Sequence, residues 1–222
     1  AELLPTSTGP NLDNLAPLVG VERLEAGKAT AVIRFTLSAP RTSATGIPEG
    51  TQVRTADKRY FKTEKYAEIL PGELTVDVVA VADEAGSNSD GIAEGEINVL
   101  VDPIPYVSGA KSVSASTGGT DTEGDDSFTR RINYAPSIFS VAGPVDAYEY
   151  FASSWRSDVA DTKIVCKGGY TIHVYFLMSG GRVPTREECT GMLDYFDTVK
   201  RPMGDLVLCH APVEIPYDIE LT

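Results

Sequence analysis

Three alternating acidic residues near the middle of the chain are the first pattern with ligand chemistry. Asp121, Glu123 and Asp125 are spaced like the first oxygen ligands of an EF-hand calcium loop. Such a loop also needs Gly at its sixth position and Glu at its twelfth, and these positions hold Asp126 and Ile132. The pattern therefore predicts a turn and a helix start, and we expect no calcium site.

Thiols and imidazoles form a second possible ligand set. Cys166, His173, Cys209 and His210 would meet at a zinc ion only if their strands pair. The alternation around His173 points its ring away from the apolar side of its strand, and the adjacent Cys209 and His210 must point to opposite faces. We therefore expect no metal site, but two buried thiols and two histidines at the surface or at an interface.

The sequence contains few of the residue patterns on which catalysis depends. There is no GxSxG motif, and the glycine pairs lack the GxGxxG and GxxxxGK[ST] spacings of nucleotide-binding loops. Carboxylates are abundant in so acidic a chain, so no pair of them stands out as an acid and a base. We expect neither an enzyme nor a bound cofactor.

The charge and the cysteine content exclude several kinds of binding partner and a disulfide-based fold. The 19 basic and 32 acidic residues give a net charge of −13, which should repel nucleic acids and anionic membranes. No apolar stretch approaches the roughly 18 residues of a membrane span. The 3 cysteines include no CxxC pair, which argues against a disulfide framework and fits a reducing cytosol. We expect no nucleic acid, membrane or small-molecule substrate as a partner.

The first half of the chain is patterned as β-structure. From Ala29 to Ser38 apolar and polar residues alternate, which predicts a half-buried strand. Further short strands are predicted after turn residues, at Ile47–Val53, Tyr60–Thr63, Lys65–Leu70, Leu74–Ala82 and Glu96–Val101. Short, closely spaced strands favour an antiparallel sandwich or a barrel-like module.

The acidic pattern lies in a segment that divides this half from the next. Gly118 and Gly119 allow a tight turn, and Thr122 or Glu123 is placed to cap a helix that Pro136 would stop. Acidic residues in the first turn, basic residues in the last turn and one apolar face all favour this helix: Asp125, Asp126, Arg130, Arg131, Phe128, Ile132 and Ala135.

The second half mixes helices and strands. Pro144 and Asp146 open a helix whose shared face is predicted to hold Val145, Tyr148, Ala152 and Trp155. A hairpin is predicted from Ile164–Cys166 and Tyr170–Met178, with Ile172, Val174, Phe176 and Met178 on one side. A capping box, Thr185–Glu188, starts a helix that carries Cys189, Met192, Leu193, Phe196 and Val199. Strands are expected at Asp205–Ala211 and Val213–Leu221.

These elements predict an α+β fold, with an N-terminal antiparallel β-rich module followed by a smaller α+β domain whose helices pack on a sheet. We expect an extended arm over residues 1–26 and the β-rich module over 27–106. A linker with the central short helix would cover 107–143, and the α+β domain 144–222. The last strand looks cut off at Thr222, so we expect a domain truncated at its C-terminus.

Several motifs resemble those of the baseplate J-like proteins of contractile bacteriophage tails. Order and spacing match over roughly Gly27 to Trp155, and the segments that carry the resemblance are Ile47-Pro48-Glu49-Gly50-Thr51-Gln52-Val53, Tyr60-Phe61-Lys62-Thr63, Ala85-Gly86-Ser87-Asn88 and Gly118 to Ile132. Two departures stand out. Lys58 follows Asp57 where the family usually has Gly, and an Asn common upstream of the glycine pair is absent.

The resemblance implies a structural subunit of a baseplate wedge, located in the virion tail and assembled in the bacterial cytoplasm. Its partners would be copies of itself and neighbouring wedge or hub proteins. A phage and a bacteriocin-type particle would share such parts. The residues that would form the architectural motif are Ile47, Pro48, Gly50, Thr51, Gly118, Gly119, Asp121, Glu123, Asp125, Arg130, Arg131 and Ile132.

A carbohydrate-binding β-sandwich with an accessory α+β domain is the alternative function. Tyr60, Tyr66 or Trp155 would then offer stacking surfaces for sugar rings. Aromatic residues at strand and helix spacing are more often part of a core, which favours the structural interpretation.

Overall fold

The structure is a computed structural model that describes residues 4–139, 143–198, 201–202 and 204–215. The chain divides into two compact units. One is continuous and runs from Ala26 to Thr122, and the other combines Ala1–Glu25 with Glu123–Thr222. The first is therefore an insertion into the second, and the chain passes between them twice.

The continuous unit is an antiparallel β module. Its strands are β1 (Thr30–Leu37), β2 (Thr45–Ile47), β3 (Gln52–Arg54), β4 (Tyr60–Thr63), β5 (Ala67–Ile69), β6 (Thr75–Ala82), β7 (Val99–Leu100) and β8 (Val107–Ser112). Six of them form one sheet in the order β7-β3-β4-β6-β1-β8, and β2 pairs with β5. The amide of Ser112 donates to the carbonyl of Ile97 at 2.9 Å, which brings the two edges together into a near-barrel.

Strand β1 shows why this sequence forms the module. Its inward side chains, from Ala31 through Ile33 to Leu37, are buried, and the outward ones alternate with them. Because side chains of a strand point alternately to its two faces, one half of β1 fills the core. The predicted half-buried strand is confirmed, and so is the antiparallel β-rich module.

The β module extends beyond the range expected from the sequence. Strand β8 pairs with β1 in an antiparallel register, although the sequence pattern predicted a linker with the central helix over residues 107–143. Its side chains are small or polar, with the sequence Val-Ser-Gly-Ala-Lys-Ser, so the apolar alternation that marks other strands is weak here. Pairing with β1, and not propensity, makes this segment a strand.

The turn between β3 and β4 departs from the usual choice of residue. Lys58 adopts a left-handed backbone with φ 67°, and its amide donates to the carbonyl of Thr55 at 3.2 Å. A side chain in this conformation costs free energy that Gly does not pay. The turn therefore keeps the geometry that Gly would favour, despite the Lys.

Replacing this residue tests the strain directly. Lys58→Gly should raise the free energy of unfolding by about 0.5–1 kcal/mol, measured by urea denaturation, because it removes the Cβ clash. Lys58→Ala is the matched control, since it removes the charge and the long side chain but keeps the Cβ. An equal gain in both variants would show that the backbone conformation is not the cause.

The N-terminal segment belongs to the second unit and is helical in part. Helix α1 (Pro10–Leu15) lies between two 3-10 turns, Leu4–Thr6 and Ala16–Val19, which corrects the expected extended arm. Its first residue is a Pro, which suits a helix start. A short helix is marginal alone, and here Leu12 is buried in one cluster with Phe128.

The remaining elements of this unit form a helix and sheet layer. They are α2 (Asp125–Tyr134), α3 (Val145–Ser154), β9 (Val159–Cys166), β10 (Thr171–Met178), α4 (Arg186–Asp197) and β11 (Leu206–His210). Strand β10 lies centrally, antiparallel to β9 and parallel to β11. Side chains of α3, α4 and one face of the sheet share a core, as the α+β prediction required.

Local predictions in this unit have mixed outcomes. The hairpin and the capping box of α4 are confirmed, with Thr185 and Glu188 bonded reciprocally. Val145 is 50% exposed, so it does not share the buried face of α3. Residues 213–215 form no strand, and the rest of the strand predicted to Leu221 lies outside the described residues, as does Val199.

No helix within the described ranges is long and apolar enough to cross a membrane.

Candidate functional site

The glycine pair of the central motif closes the β module. Gly118 takes φ 91°, a left-handed conformation that disfavours other residues. The Gly119 amide donates to the Asp90 carboxylate at 3.0 Å, and a Cβ on Gly119 would lie 2.7 Å from the carbonyl oxygen of Gly86. Two different constraints therefore require Gly at these adjacent positions.

Thr120 pairs the end of the module with its beginning. Its carbonyl accepts from the Gly27 amide at 2.8 Å, and its amide donates back to the Gly27 carbonyl at 3.2 Å. The Thr120 hydroxyl also accepts from the Gly27 amide at 3.0 Å, where a Cβ on Gly27 would be only 2.7 Å away. The first and last segments of the module are thus held side by side.

Asp121 holds the neighbouring loop, which contains Ser87, by hydrogen bonds. Its carboxylate accepts from the hydroxyl of Ser87 at 2.7 Å and from the amide of Ser87 at 2.8 Å. These hydrogen bonds, the one from the hydroxyl first, lower the pKa of Asp121 because they stabilise the charged form. Its oxygens are engaged by the protein, in agreement with the sequence interpretation of a turn.

The close approach at Gly119 gives a stability prediction. Gly119→Ala should destabilise the β module by several kcal/mol, since its Cβ meets backbone that cannot move aside easily. Gly109→Ala, in β8 of the same unit, is the matched control because a Cβ there has nothing within 4 Å. Urea denaturation of both variants measures the difference. Equal stabilities would contradict the packing argument.

Glu123 and Arg131 form a buried ion pair in the second unit. Their side chains are 0% and 3% exposed, and the guanidinium binds the carboxylate twice, at 2.9 Å and 3.0 Å. The carboxylate also accepts from the Leu24 amide at 3.1 Å. The guanidinium donates further to the Ser154 hydroxyl at 3.1 Å and to the Glu22 carbonyl. The pair therefore joins the N-terminal segment, α2 and α3.

Arg23 extends this network to the start of α2. It binds Asp13 and Asp125, each at 2.8 Å, and lies 4.5 Å from the centre of the Phe128 ring. Asp125 also accepts from the Gly9 amide at 2.8 Å, and this bond, followed by the one from Arg23, lowers its pKa. The three alternating acidic residues of the motif thus serve three different sets of protein partners.

The helix start differs from the sequence prediction in its cap. Neither Thr122 nor Glu123 caps α2; its N-cap is Gly124, without a side-chain hydrogen bond. Glu123 forms the ion pair instead, because the Arg131 guanidinium binds its carboxylate through two hydrogen bonds. The expected acidic first turn, the position of Arg131 in the last turn and the apolar face with Phe128 are confirmed, and Arg131 is also buried. Arg130 is on the outside and donates to the Ala160 carbonyl at 2.8 Å.

The other motif of the resemblance forms a turn in the β module. Ile47 is buried, and Gly50 takes φ 77°. The Pro48 carbonyl accepts from the hydroxyl of Thr51 at 2.7 Å and from that of Thr63 at 2.8 Å. The motif thus ties the turn before β3 to strand β4. Ile47, Gly50 and Thr51 thus serve burial, backbone conformation and hydrogen bonding, respectively.

The thiol and imidazole set is only partly as expected. His173 Nδ1 and His210 Nε2 are 2.9 Å apart on the face of the small sheet opposite its core. Cys209 packs against the core and burial raises its pKa to about 12, but Cys166 is exposed, which corrects the prediction of two buried thiols. Among the described residues no group of three or more His, Cys, Asp or Glu side chains is placed to hold a metal.

The aromatic residues of the carbohydrate alternative differ in their surroundings. Trp155 is partly buried, edge-on to Phe176 in the core of the second unit. Tyr66 is 58% exposed and bonds Glu68, and Tyr60 lines an open polar cleft of the β module. Trp155 therefore contributes to the core of its own unit, and the exposed Tyr66 is hydrogen-bonded to Glu68.

Comparison with known proteins identifies a domain within the β module. A model of the baseplate J-like protein barrel domain matches residues 32–119. This part of the chain is a baseplate J-like barrel domain. The match ends at Gly119, so helix α2 lies beyond it. The resemblance stated from the motifs is confirmed, and the family is a structural, non-enzymatic one of phage and phage-tail-like baseplates.

A solved structure agrees with the fold. A chain in the cryo-EM structure of the anti-feeding prophage baseplate, six-fold symmetrised, matches with a TM-score of 0.50 and 10% identity. The match covers 87% of this chain and 58% of that chain, so the present sequence spans little more than half of its length. At this identity the likeness shows the fold alone. A comparison with curated protein sequences gives no match.

The residues that sequence reasoning missed are those of the N-terminal segment. Arg23, Glu22 and Leu24 lie about a hundred positions before their partners, and none stands in a pattern that signals a buried ion pair. A partial signal was the acidic and basic spacing within the motif itself. It placed Glu123 just before a short helix and Arg131 in the last turn of that helix.

Removing one partner of the buried pair should destabilise the second unit. Glu123→Gln or Arg131→Met should each lower the free energy of unfolding by about 3–5 kcal/mol, because the remaining charge is left buried and unpaired. The double variant should cost clearly less than the sum of the two. Urea denaturation measures all three.

The neighbouring arginine provides the control. Arg130→Met removes an exposed side chain whose ion pair with Asp161 is 3.7 Å long, so the change should stay within about 0.5 kcal/mol. Additive effects of Glu123→Gln and Arg131→Met would contradict a direct coupling between the two side chains.

Proposed function

We propose that this protein is a structural subunit of the baseplate wedge in a contractile phage tail or a phage-tail-like particle. It acts by protein–protein assembly in the tail and host-attachment machinery, not by catalysis. Its partners are copies of itself and neighbouring wedge or hub proteins. The observation that carries the proposal is the baseplate J-like barrel domain over residues 32–119.

The use of the motif residues supports a structural role. Gly119, Thr120 and Asp121 are engaged in closing the β module, and Glu123 and Arg131 in packing the second unit. Polar groups held in this way are unavailable for a substrate but well suited to fixing a connection. We infer that Gly118 to Ile132 is an architectural joint, anchored in one unit at its start and in the other at its end.

The acidic charge indicates the kind of partner surface. With a net charge of −13, the chain attracts basic surfaces and repels other acidic ones at long range. Neighbouring wedge or hub proteins with basic contact surfaces would therefore associate faster at low salt. The fold match to a chain of a six-fold symmetrised baseplate supports an assembly with several copies around an axis.

Co-expression with the baseplate proteins encoded beside it tests the proposal. Native mass spectrometry should find the protein in a multi-protein complex whose copy number is a multiple of six, the symmetry of the matched baseplate. Antibody labelling of intact particles should mark the baseplate end of the tail. A protein that stays outside every complex would contradict the proposal.

Two controls accompany the co-expression. Leaving this protein out should prevent the complex, whereas Gly109→Ala, which leaves the motifs intact, should not. Binding of the isolated protein to a glycan array, without entry into any complex, would instead support the carbohydrate-binding alternative.

A further inference from the structure

Strand β11 forms an open edge of the small sheet. The strand order β11-β10-β9 leaves one side of β11 without a neighbouring strand. The Leu206 amide donates to the Tyr170 carbonyl at 2.8 Å, so the backbone groups of Leu206 point to β10. Because these groups alternate in direction along a strand, those of Val207 and Cys209 point to the open side. In the part of the chain that the structure describes, no backbone group of another segment is hydrogen-bonded to them there.

The residues that follow β11 leave this edge uncovered. A strand that folded back directly after His210 would use Ala211 and Pro212 as its turn. The tight turns of hairpins need a positive φ at the first of these positions, which Ala disfavours, or at both, which Pro cannot adopt. Val213 and Ile215 are accordingly 87% and 80% exposed. The edge is thus available to a strand of another chain.

Charge favours a second copy of this chain as that partner. Residues 206–213 carry no Asp or Glu, although the net charge of the chain is −13. Two such acidic chains repel each other on average, so they approach most easily where both lack carboxylates. Strand β11 also contains no Lys and no Pro, the residues that commonly prevent exposed edges from pairing.

We propose that the β11 strands of two copies pair antiparallel about a two-fold axis at Leu208 and join their small sheets into one continuous sheet. This names a surface for the self-association in the proposed function, on which it rests. In this register Val207 lies opposite Cys209 of the second copy, and each such pair exchanges both of its N–H···O bonds. Leu208 lies opposite its own counterpart, and Leu206 opposite His210. The strand is therefore complementary to itself, as a two-fold interface requires.

The side chains suit the same register. Leu206 is 55% exposed and would pack on the imidazole ring of His210 of the second copy. The two Leu208 side chains would meet on the outer face of the sheet. Val207 and Cys209 face the core of their unit, so their contact across the axis would connect the apolar cores of the two copies. Both faces of the joined strands thus gain apolar contacts.

Light scattering of the whole chain at several concentrations tests the association. The mass should approach twice that of one chain as the concentration rises. Leu208→Lys should raise the dissociation constant at least about tenfold, because two like charges would face each other across the axis. Val165→Lys is the matched control: it adds the same charge to the same face at the other edge strand, β9, and should leave the dissociation constant unchanged.

A disulfide locates the axis. Leu208→Cys should link two copies on mild oxidation with diamide, because opposite residues of a non-hydrogen-bonded pair lie close enough for a disulfide. Leu206→Cys is the control and should stay unlinked, since its counterpart in the second copy lies about 14 Å away along the paired strands. Both variants also carry Cys166→Ser, which removes an exposed thiol.

Monomers at every concentration, or dimers without the Leu208→Cys link, would overturn the inference. So would equal linking of the Leu206→Cys control. These measurements use the isolated chain and are separate from the co-expression experiment. A protein that enters a baseplate complex but does not pair through β11 contradicts only the present inference, whereas one that pairs through β11 but stays outside every complex contradicts the proposed function.

Discussion

The buried Glu123–Arg131 pair is the interaction on which the second unit depends. Two charges are almost fully removed from water, at side-chain exposures of 0% and 3%. Such a pair is stable only when geometry and additional hydrogen bonds offset the cost of desolvation. Here the Leu24 amide, the Glu22 carbonyl and the Ser154 hydroxyl supply those bonds, so the pair can form only after three separate segments have come together.

The pair also explains why the N-terminal segment is ordered. Helix α1 is too short to be stable alone, and its apolar contribution is one small cluster with α2. Arg23 adds ion pairs to Asp13 and Asp125, and its guanidinium covers the Phe128 ring. Polar and apolar contacts thus converge on the first two turns of α2, where the chain re-enters this unit.

The β module uses a different means of closure. Its ends meet through backbone pairing of Gly27 with Thr120, where Gly27 has no room for a side chain, and Gly119 likewise lies too close to the Gly86 carbonyl to carry one. The central motif therefore consists of two parts, and each part stabilises a different unit. Its glycines and Asp121 serve the β module, and its acidic and basic helix residues serve the second unit. This division gives physical content to a motif that the sequence shows only as an unbroken run.

Features with local causes were predictable from the sequence. The alternation in β1, the buried side of β10 and the capping box of α4 each follow from residues within one element, and all three are found. The partners of Glu123 and the helical state of residues 10–15 were not predictable, since both depend on packing between distant segments. The cap of α2 was predicted wrongly for the same reason. The position of Glu123 suits a local cap, but its carboxylate binds the more distant Arg131 instead.

The candidate site followed the same rule. Family motifs indicated the baseplate J-like family correctly. They did not indicate how Glu123 and Asp125 act, because their partners Arg23 and Leu24 carry no signal of their own. The contact of His173 with His210 likewise depends on the parallel pairing of β11 with β10, which no pattern in the sequence specifies.

Hydrogen–deuterium exchange on the Arg131→Met variant tests the central claim most directly. If the buried pair holds the second unit together, amides in residues 9–25 and 123–135 should exchange faster than in the parent, while those of β1 and β6 keep their protection. Unchanged exchange in the N-terminal segment would contradict the account. So would an equal loss of protection in the β module, because the pair would then not belong to the second unit alone.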